Sequence, residues 1–237
     1  MKILYIFPHP DDESFGPARA ISHQVRAGHE VYLLTLTKGG ATKKRFKYNY
    51  SIEEMGEIRY NEMKDVEKIL RLSGMIVLDL PDSGLKEMDP REIEKIVYNY
   101  IEKLQPHVVV TYPVHGISGF HDHLIIHGIV KRVYKELKDK GTTYFKRLAF
   151  FTLKKSEIDA HHGIHKLNYS TDEEIDCVIK VSDEDMETMK KALDCYKTYE
   201  DVIRDSKVME TVDKECSFEI FQENYNPPLD DLFQNIK

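Results

Sequence analysis

The 237-residue chain is expected to be α/β, a doubly wound, mostly parallel sheet with helices on both faces. Three observations predict it. Short, wholly apolar runs recur along the chain, they alternate with segments of helical period, and the reactive side chains gather just after the runs. A strand buried on both faces reads as a continuous apolar run, which is the mark of a parallel sheet.

Ile3-Leu4-Tyr5-Ile6-Phe7 is the first such run. From Gly16 to Gly28, Ala20, Ile21 and Val25 recur at helical spacing and a glycine ends the pattern. Val31 to Leu36 is a second strand, so the three segments form a βαβ unit. Residues 38–51 are polar, contain Gly39-Gly40 and show no period, as binding loops and lids often do. Ile52 to Ser73 carries a long helical stripe, and Met75 to Leu80 reads as a strand followed by the turn Pro81-Asp82-Ser83-Gly84. Pro90 opens a helix to Leu104, and Val108 to Tyr112 is a further buried strand. Helical spacing returns at Ile125, Ile129, Val130 and Val133. Leu148 to Leu153 and Ile175 to Val181 read as strands, Ser182 caps a helix to about Tyr199, and Phe218 to Phe221 is expected at a sheet edge. The tail containing Pro227-Pro228 is expected to be loosely ordered, and His161, His162 and His165 to lie in a solvated loop. Without a linker or repeat, residues 1–237 read as one domain, with a core of about 1–155 and a variable part over 156–237.

At 41% hydrophobic and 32% charged, the chain can bury a sizeable core. A net charge of −7 argues against a nucleic-acid partner or an anionic surface, and the one basic stretch, Lys43-Lys44-Arg45 with Lys47, is short. Three widely spaced cysteines give no disulfide framework, and no run is long enough to insert in a membrane. A cytoplasmic location is the expectation, with a small molecule as partner and a homo-oligomer left open.

Pro8-His9-Pro10-Asp11-Asp12-Glu13 places one imidazole and three carboxylates at a strand-to-helix turn. Acids in a first helical turn are stabilised by free amides and the helix dipole, but that explains neither His9 nor the two prolines. The second rich stretch follows the strand at Val108, where His115, His121, His123 and His127 fall within thirteen residues. Both stretches enter helices at the carboxyl ends of strands, where open α/β sheets bind ligands. His, Asp and His with one open position suit a catalytic zinc, and a neighbouring free carboxylate such as Asp11 suits a general base. Amide or ester hydrolysis is the reaction class this chemistry supports. No Gly-x-Ser-x-Gly motif offers a serine nucleophile.

With Phe120-His121-Asp122-His123 on the later loop, these residues resemble the PIG-L (LmbE-like) family of zinc-dependent de-N-acetylases, over roughly the first two thirds of the chain. The resemblance implies a Rossmann-like fold and removal of acetyl from an N-acetylglucosamine-type conjugate. It implies His9, Asp12 and His123 as ligands of Zn2+, with Fe2+ as the other metal considered, and Asp11 as general base. It also implies substrate roles for Arg59, in an Arg-x-x-Glu pattern with Glu62, and for Asp82. A helix-surface ion pair is the plain alternative for Arg59 and Glu62. Phe120 stands where the family has a histidine thought to stabilise the oxyanion, so His121 or His115 is expected to take that part, with Asp122 orienting a histidine. Hydrolysis of a different amide or ester and a non-catalytic metal- or sugar-binding role are the competing readings. A nucleotide-binding module is the weakest, because the first turn lacks Gly-x-Gly-x-x-Gly.

Overall fold

A computed structural model of the chain describes residues 1–160 and 166–236. The histidine-rich stretch expected as a solvated loop, with His161, His162 and His165, lies outside them. Among the described residues seven strands form one sheet: β1 (Lys2–Phe7), β2 (Glu30–Thr35), β3 (Gly74–Val77), β4 (Val108–Thr111), β5 (Arg147–Thr152), β6 (Cys177–Lys180) and β7 (Glu215–Ile220), in the spatial order β3-β2-β1-β4-β5-β7-β6. The first five strands pair in parallel, and β7 runs antiparallel to both β5 and β6.

β1 is central because its sequence admits nothing else: Ile3 through Phe7 are wholly buried and cover both faces of the sheet. Tyr5 fits that setting because its hydroxyl donates to Gln24 Oε1 at 2.8 Å. The principal helices are α1 (Ala18–Arg26), α2 (Arg45–Tyr48), α3 (Ile52–Leu70), α4 (Pro90–Leu104), α5 (His121–Asp139), α6 (Lys155–Ala160), α7 (Asp183–Leu193), α8 (Glu200–Ser206) and α9 (Val208–Thr211). α1, α3 and α7 pack together, and α4 packs with α5. The strand order turns back between β1 and β4, and the right-handed rule for parallel crossovers assigns these two groups to opposite faces. Ser51 and Glu54 form a capping box that starts α3, Asp89 caps α4 ahead of Pro90, and Ser182 with Asp185 starts α7. Gly16, just before α1, lies against β5: a Cβ there would come 2.4 Å from Phe151 Cζ, so the turn after β1 needs glycine.

Several expectations need correction. The 218–221 run is not an edge: β7 is inserted between β5 and β6, with Phe218 fully buried, and β6 takes the edge. The tail is docked rather than loose. Val178 and Asp176 exchange backbone hydrogen bonds with Leu229, Leu232 is buried, and buried Arg147 donates to the carbonyls of Leu232 (2.6 Å) and Gln234 (2.9 Å). The helix expected to reach Tyr199 stops at Leu193, and a 3-10 turn over Lys197–Tyr199 follows. Residues 38–51 contain the single helical turn α2.

Candidate active site

The reversal of strand order lies between β1 and β4, so the chain leaves their carboxyl ends in opposite directions and opens a crevice. The loop after β1 supplies His9, Asp11 and Asp12. The loop after β4 and the first turn of α5 supply Tyr112, Asp122 and His123. The loop after β3 supplies Asp82, and α3 sends Arg59 in from the side.

His9, Asp12 and His123 converge. His9 Nδ1 lies 3.3 Å from His123 Nε2 and 3.5 Å from Asp12 Oδ2, and His123 Nε2 lies 3.3 Å from Asp12 Oδ1. The outer atoms of each imidazole assign its tautomer. His123 Nδ1 faces the Gly116 carbonyl at 2.9 Å, so it carries the proton and Nε2 presents a lone pair. His9 Nε2 faces Asp122 Oδ2 at 3.1 Å and Asp82 Oδ1 at 3.4 Å, so it too is the protonated nitrogen and Nδ1 is left bare. Two lone pairs and a carboxylate then point at one spot, an arrangement that repels itself unless positive charge sits there.

In the protein alone that demand falls on His9. Burial pulls its pKa down, but the Asp12 and Asp122 carboxylates outweigh it and hold the proton up to about 10. Burial likewise pushes Asp12 up, yet His123 and His9 hold it well below the usual carboxylate range. A divalent cation meets the same demand. Nitrogen and oxygen ligands at about 2.0–2.1 Å from a tetrahedral ion lie roughly 3.3–3.4 Å from one another, close to the separations here. The donor set fits a metal.

Further contacts fix these side chains. Tyr112 donates its hydroxyl to Asp12 Oδ1 at 2.7 Å, and its ring stacks on His123 with centroids 4.1 Å apart. The backbone amide of His9 donates to Asp12 Oδ2 at 2.8 Å. Gly116 has φ +61°, and a Cβ on it would meet that of His123 at 2.8 Å, so glycine is what allows its carbonyl to reach the imidazole. Asp122 also accepts the Ser83 amide (2.9 Å), and Asp82 accepts the Ala41 amide (2.7 Å), which ties three loops to one imidazole.

Asp11 stands beside this cluster with φ +82°, a left-handed backbone that costs a non-glycine residue energy and is often found at functional sites. Its Oδ2 accepts from Arg59 Nη2 at 2.5 Å, while Arg59 also donates to the carbonyls of Pro10 (2.8 Å) and Gly39 (3.1 Å). Burial, against the pull of Arg59, pushes the Asp11 carboxyl up to about 7. Glu13 points the other way, into the core, where it accepts from Tyr196 (2.7 Å) and Ser14 (2.6 Å), and burial pushes it to about 7.

Of the residues singled out from sequence, His9, Asp11, Asp12, Arg59, Asp82, Asp122 and His123 are brought together. The surface ion pair considered for Arg59 and Glu62 is not formed: both are buried, and Glu62 instead accepts from the Thr198 amide and hydroxyl at 2.7 and 2.8 Å. His121 is exposed at the first position of α5 and makes no hydrogen bond among the described residues. His115 accepts the Ile117 amide and contacts Ser170 Oγ at 3.3 Å, and burial lowers its pKa. Phe120 is half exposed, with its ring edge-on to His123 at 5.5 Å. Sequence reasoning passed over Tyr112, although its place at the carboxyl end of a buried strand was a usable signal. It also missed Gly116, Tyr196 and Tyr199.

A family model described as GlcNAc-PI de-N-acetylase, PIG-L, matches residues 4–134. A 1D-myo-inositol 2-acetamido-2-deoxy-alpha-D-glucopyranoside deacetylase of Mycobacterium leprae is 29% identical over 149 residues, covering 54% of this chain and 48% of that protein. The chain spans about half the length of the curated relatives it matches. Among solved structures, the zinc-inhibited form of teicoplanin deacetylase Orf2 superposes with a TM-score of 0.70 at 13% identity, over 93% of this chain and 97% of that one. GalB, the 4-carboxy-2-hydroxymuconate hydratase of Pseudomonas putida KT2440, gives 0.66 at 11% identity over 94% and 97%. Likeness at such identities speaks for the fold alone. The family match runs from β1 through most of α5, more than half of the chain, and the chain belongs to the PIG-L family.

Proposed function

We propose that this protein is a metal-dependent de-N-acetylase that removes acetate from an N-acetylglucosamine-type conjugate. The observation that carries the reading is the meeting of His9 Nδ1, His123 Nε2 and the Asp12 carboxylate, each fixed from behind so that its bare side faces the others. Zinc, or ferrous iron, is the metal these three residues would hold. Bound there, it would supply Lewis acidity to the amide carbonyl and lower the pKa of the attacking water.

The remaining chemistry belongs to the chain. Asp11 takes the proton of the attacking water and returns it to the departing amine, for which a carboxyl poised at about 7 is suited. Arg59 keeps Asp11 from swinging away through the bond at 2.5 Å. Asp122 and Asp82 hold the His9 proton on Nε2 and so keep Nδ1 for the metal. In this role Asp82 serves the histidine as well as the sugar.

The test is free-amine release from a panel of N-acetylglucosamine conjugates, with metal-loaded wild type beside Asp11→Asn. Turnover by the wild type, lost in a variant that keeps its metal, supports the reading. No turnover on any conjugate at full metal occupancy overturns it.

Phe120 favours a second reading, hydrolysis of a different amide or ester, because a half-exposed phenyl replaces a hydrogen-bond donor beside His123. If that reading holds, Phe120→His does not bring activity on the sugar conjugates.

A further inference from the structure

We propose that Tyr199 is a positioning residue that holds the Arg59 guanidinium flat against Asp11, a role that rests on Asp11 acting as the base. Arg59 is buried on α3, and its hydrogen bonds leave from Nη1 and Nη2 in the plane of the group, to Gly39, Pro10 and Asp11. Nε is buried and has no partner among the described residues. These bonds fix the group within its plane, and out-of-plane motion only bends them. The Tyr199 ring opposes that motion by covering the group, with Arg59 Cζ 4.1 Å from its centroid.

The ring is itself held. The Tyr199 hydroxyl donates to Thr42 Oγ1 at 2.5 Å. One residue earlier, Thr198 gives its amide and hydroxyl to Glu62, three positions from Arg59 on the same helix. Tyr196 donates to Glu13 at 2.7 Å. A single turn, Tyr196 to Tyr199, therefore binds to the loop after β1, to α3 and to the loop after β2. It lies beyond the residues 4–134 that carry the family match.

Tilting of Arg59 misplaces the Asp11 carboxylate by a fraction of an ångström to an ångström, and such errors cost about tenfold to a hundredfold in rate. Tyr199→Leu removes the ring, and Tyr199→Phe removes only the bond to Thr42. On the conjugate that the wild type turns over best, kcat is expected to fall about tenfold to a hundredfold in Tyr199→Leu, with KM and metal content unchanged. Tyr199→Phe is expected to stay within about threefold of the wild type, since the stack survives. Equal kcat in the two variants overturns the proposal.

A second readout needs no turnover. In the wild type the Arg59 Nε–H proton, assigned by its loss in Arg59→Lys, should resonate away from solvent-exposed arginines and exchange slowly. That exchange should quicken in Tyr199→Leu and stay slow in Tyr199→Phe. Exchange that stays slow in Tyr199→Leu overturns the proposal even if no conjugate is hydrolysed, whereas exchange that quickens in Tyr199→Leu and not in Tyr199→Phe upholds it when the substrate assignment fails. Tyr199→Met, also without a ring, repeats both readings if Tyr199→Leu does not fold.

Discussion

Tyr112→Phe deletes one hydroxyl and leaves the ring stacked on His123 at 4.1 Å. The hydroxyl reaches Asp12 Oδ1 at 2.7 Å, a charge-assisted bond in a buried site. Such bonds contribute roughly 1.5–3 kcal/mol. The bond is already formed without metal, so its effect on affinity comes from orientation: it keeps one carboxylate edge turned toward the two imidazoles before the ion arrives. The full bond energy is the ceiling, and loss of an outer partner of this kind typically weakens metal binding by about 10- to 100-fold. That corresponds to about 1.4–2.7 kcal/mol. The assay is competition against a chromogenic zinc chelator, with Tyr134→Phe as a distant control on α5. Affinity in Tyr112→Phe equal to that of wild type would show that the hydroxyl does not orient Asp12 for the metal. Tighter binding would go further, showing that the hydroxyl chiefly withdraws charge from the ligand.

Other parts of the structure give further expectations. Arg147, buried on β5, holds Glu223 and two tail carbonyls, so Arg147→Ala should cost about 3–5 kcal/mol in urea melts and expose the tail to proteases; an unchanged midpoint would contradict this. Burial pushes Asp185 up, but Arg26, the Ser182 amide and Ser22 outweigh it and hold the carboxyl well below the usual range. A depressed folded-state pKa contributes stability above the unfolded-state value and loses it as pH falls further. Wild-type stability should therefore decline below about pH 4, and Asp185→Asn should be less stable at pH 7 with a flatter acid limb. Parallel acid limbs in the two proteins would remove Asp185 from the account. Gly16→Ala forces a methyl against Phe151 and should lower the melting temperature, whereas Gly128→Ala on α5, where a Cβ meets nothing within 4 Å, should not.

The parallel half of the sheet was legible because each of its strands is a local signal: an apolar run, then a helical period, then another run. β7 was not placed correctly, since nothing in Phe218 to Phe221 states which strand it will pair with. Its position follows from register with β5 and β6, both far from it in sequence. The tail misled for a related reason. Two prolines suggest a loose end, and the residue that docks it, Arg147, lies 85 positions before Leu232. At the site, the two motif loops could be read because their reactive residues are dense in sequence. Glu13 was grouped with its neighbours, but the backbone reversal at Asp11 turns it into the core toward Tyr196, 183 positions away. Contacts of that span leave no periodic or compositional trace at either end.

X-ray absorption at the zinc edge, on protein loaded with one equivalent and dialysed, tests whether His9, Asp12 and His123 hold the metal. The expected result is one ion per chain with two imidazole nitrogens and carboxylate or water oxygens at about 2.0–2.1 Å, lost together in His123→Ala. An ion that survives that substitution, or a first shell with three or more imidazoles drawn from His161, His162 and His165, would contradict it.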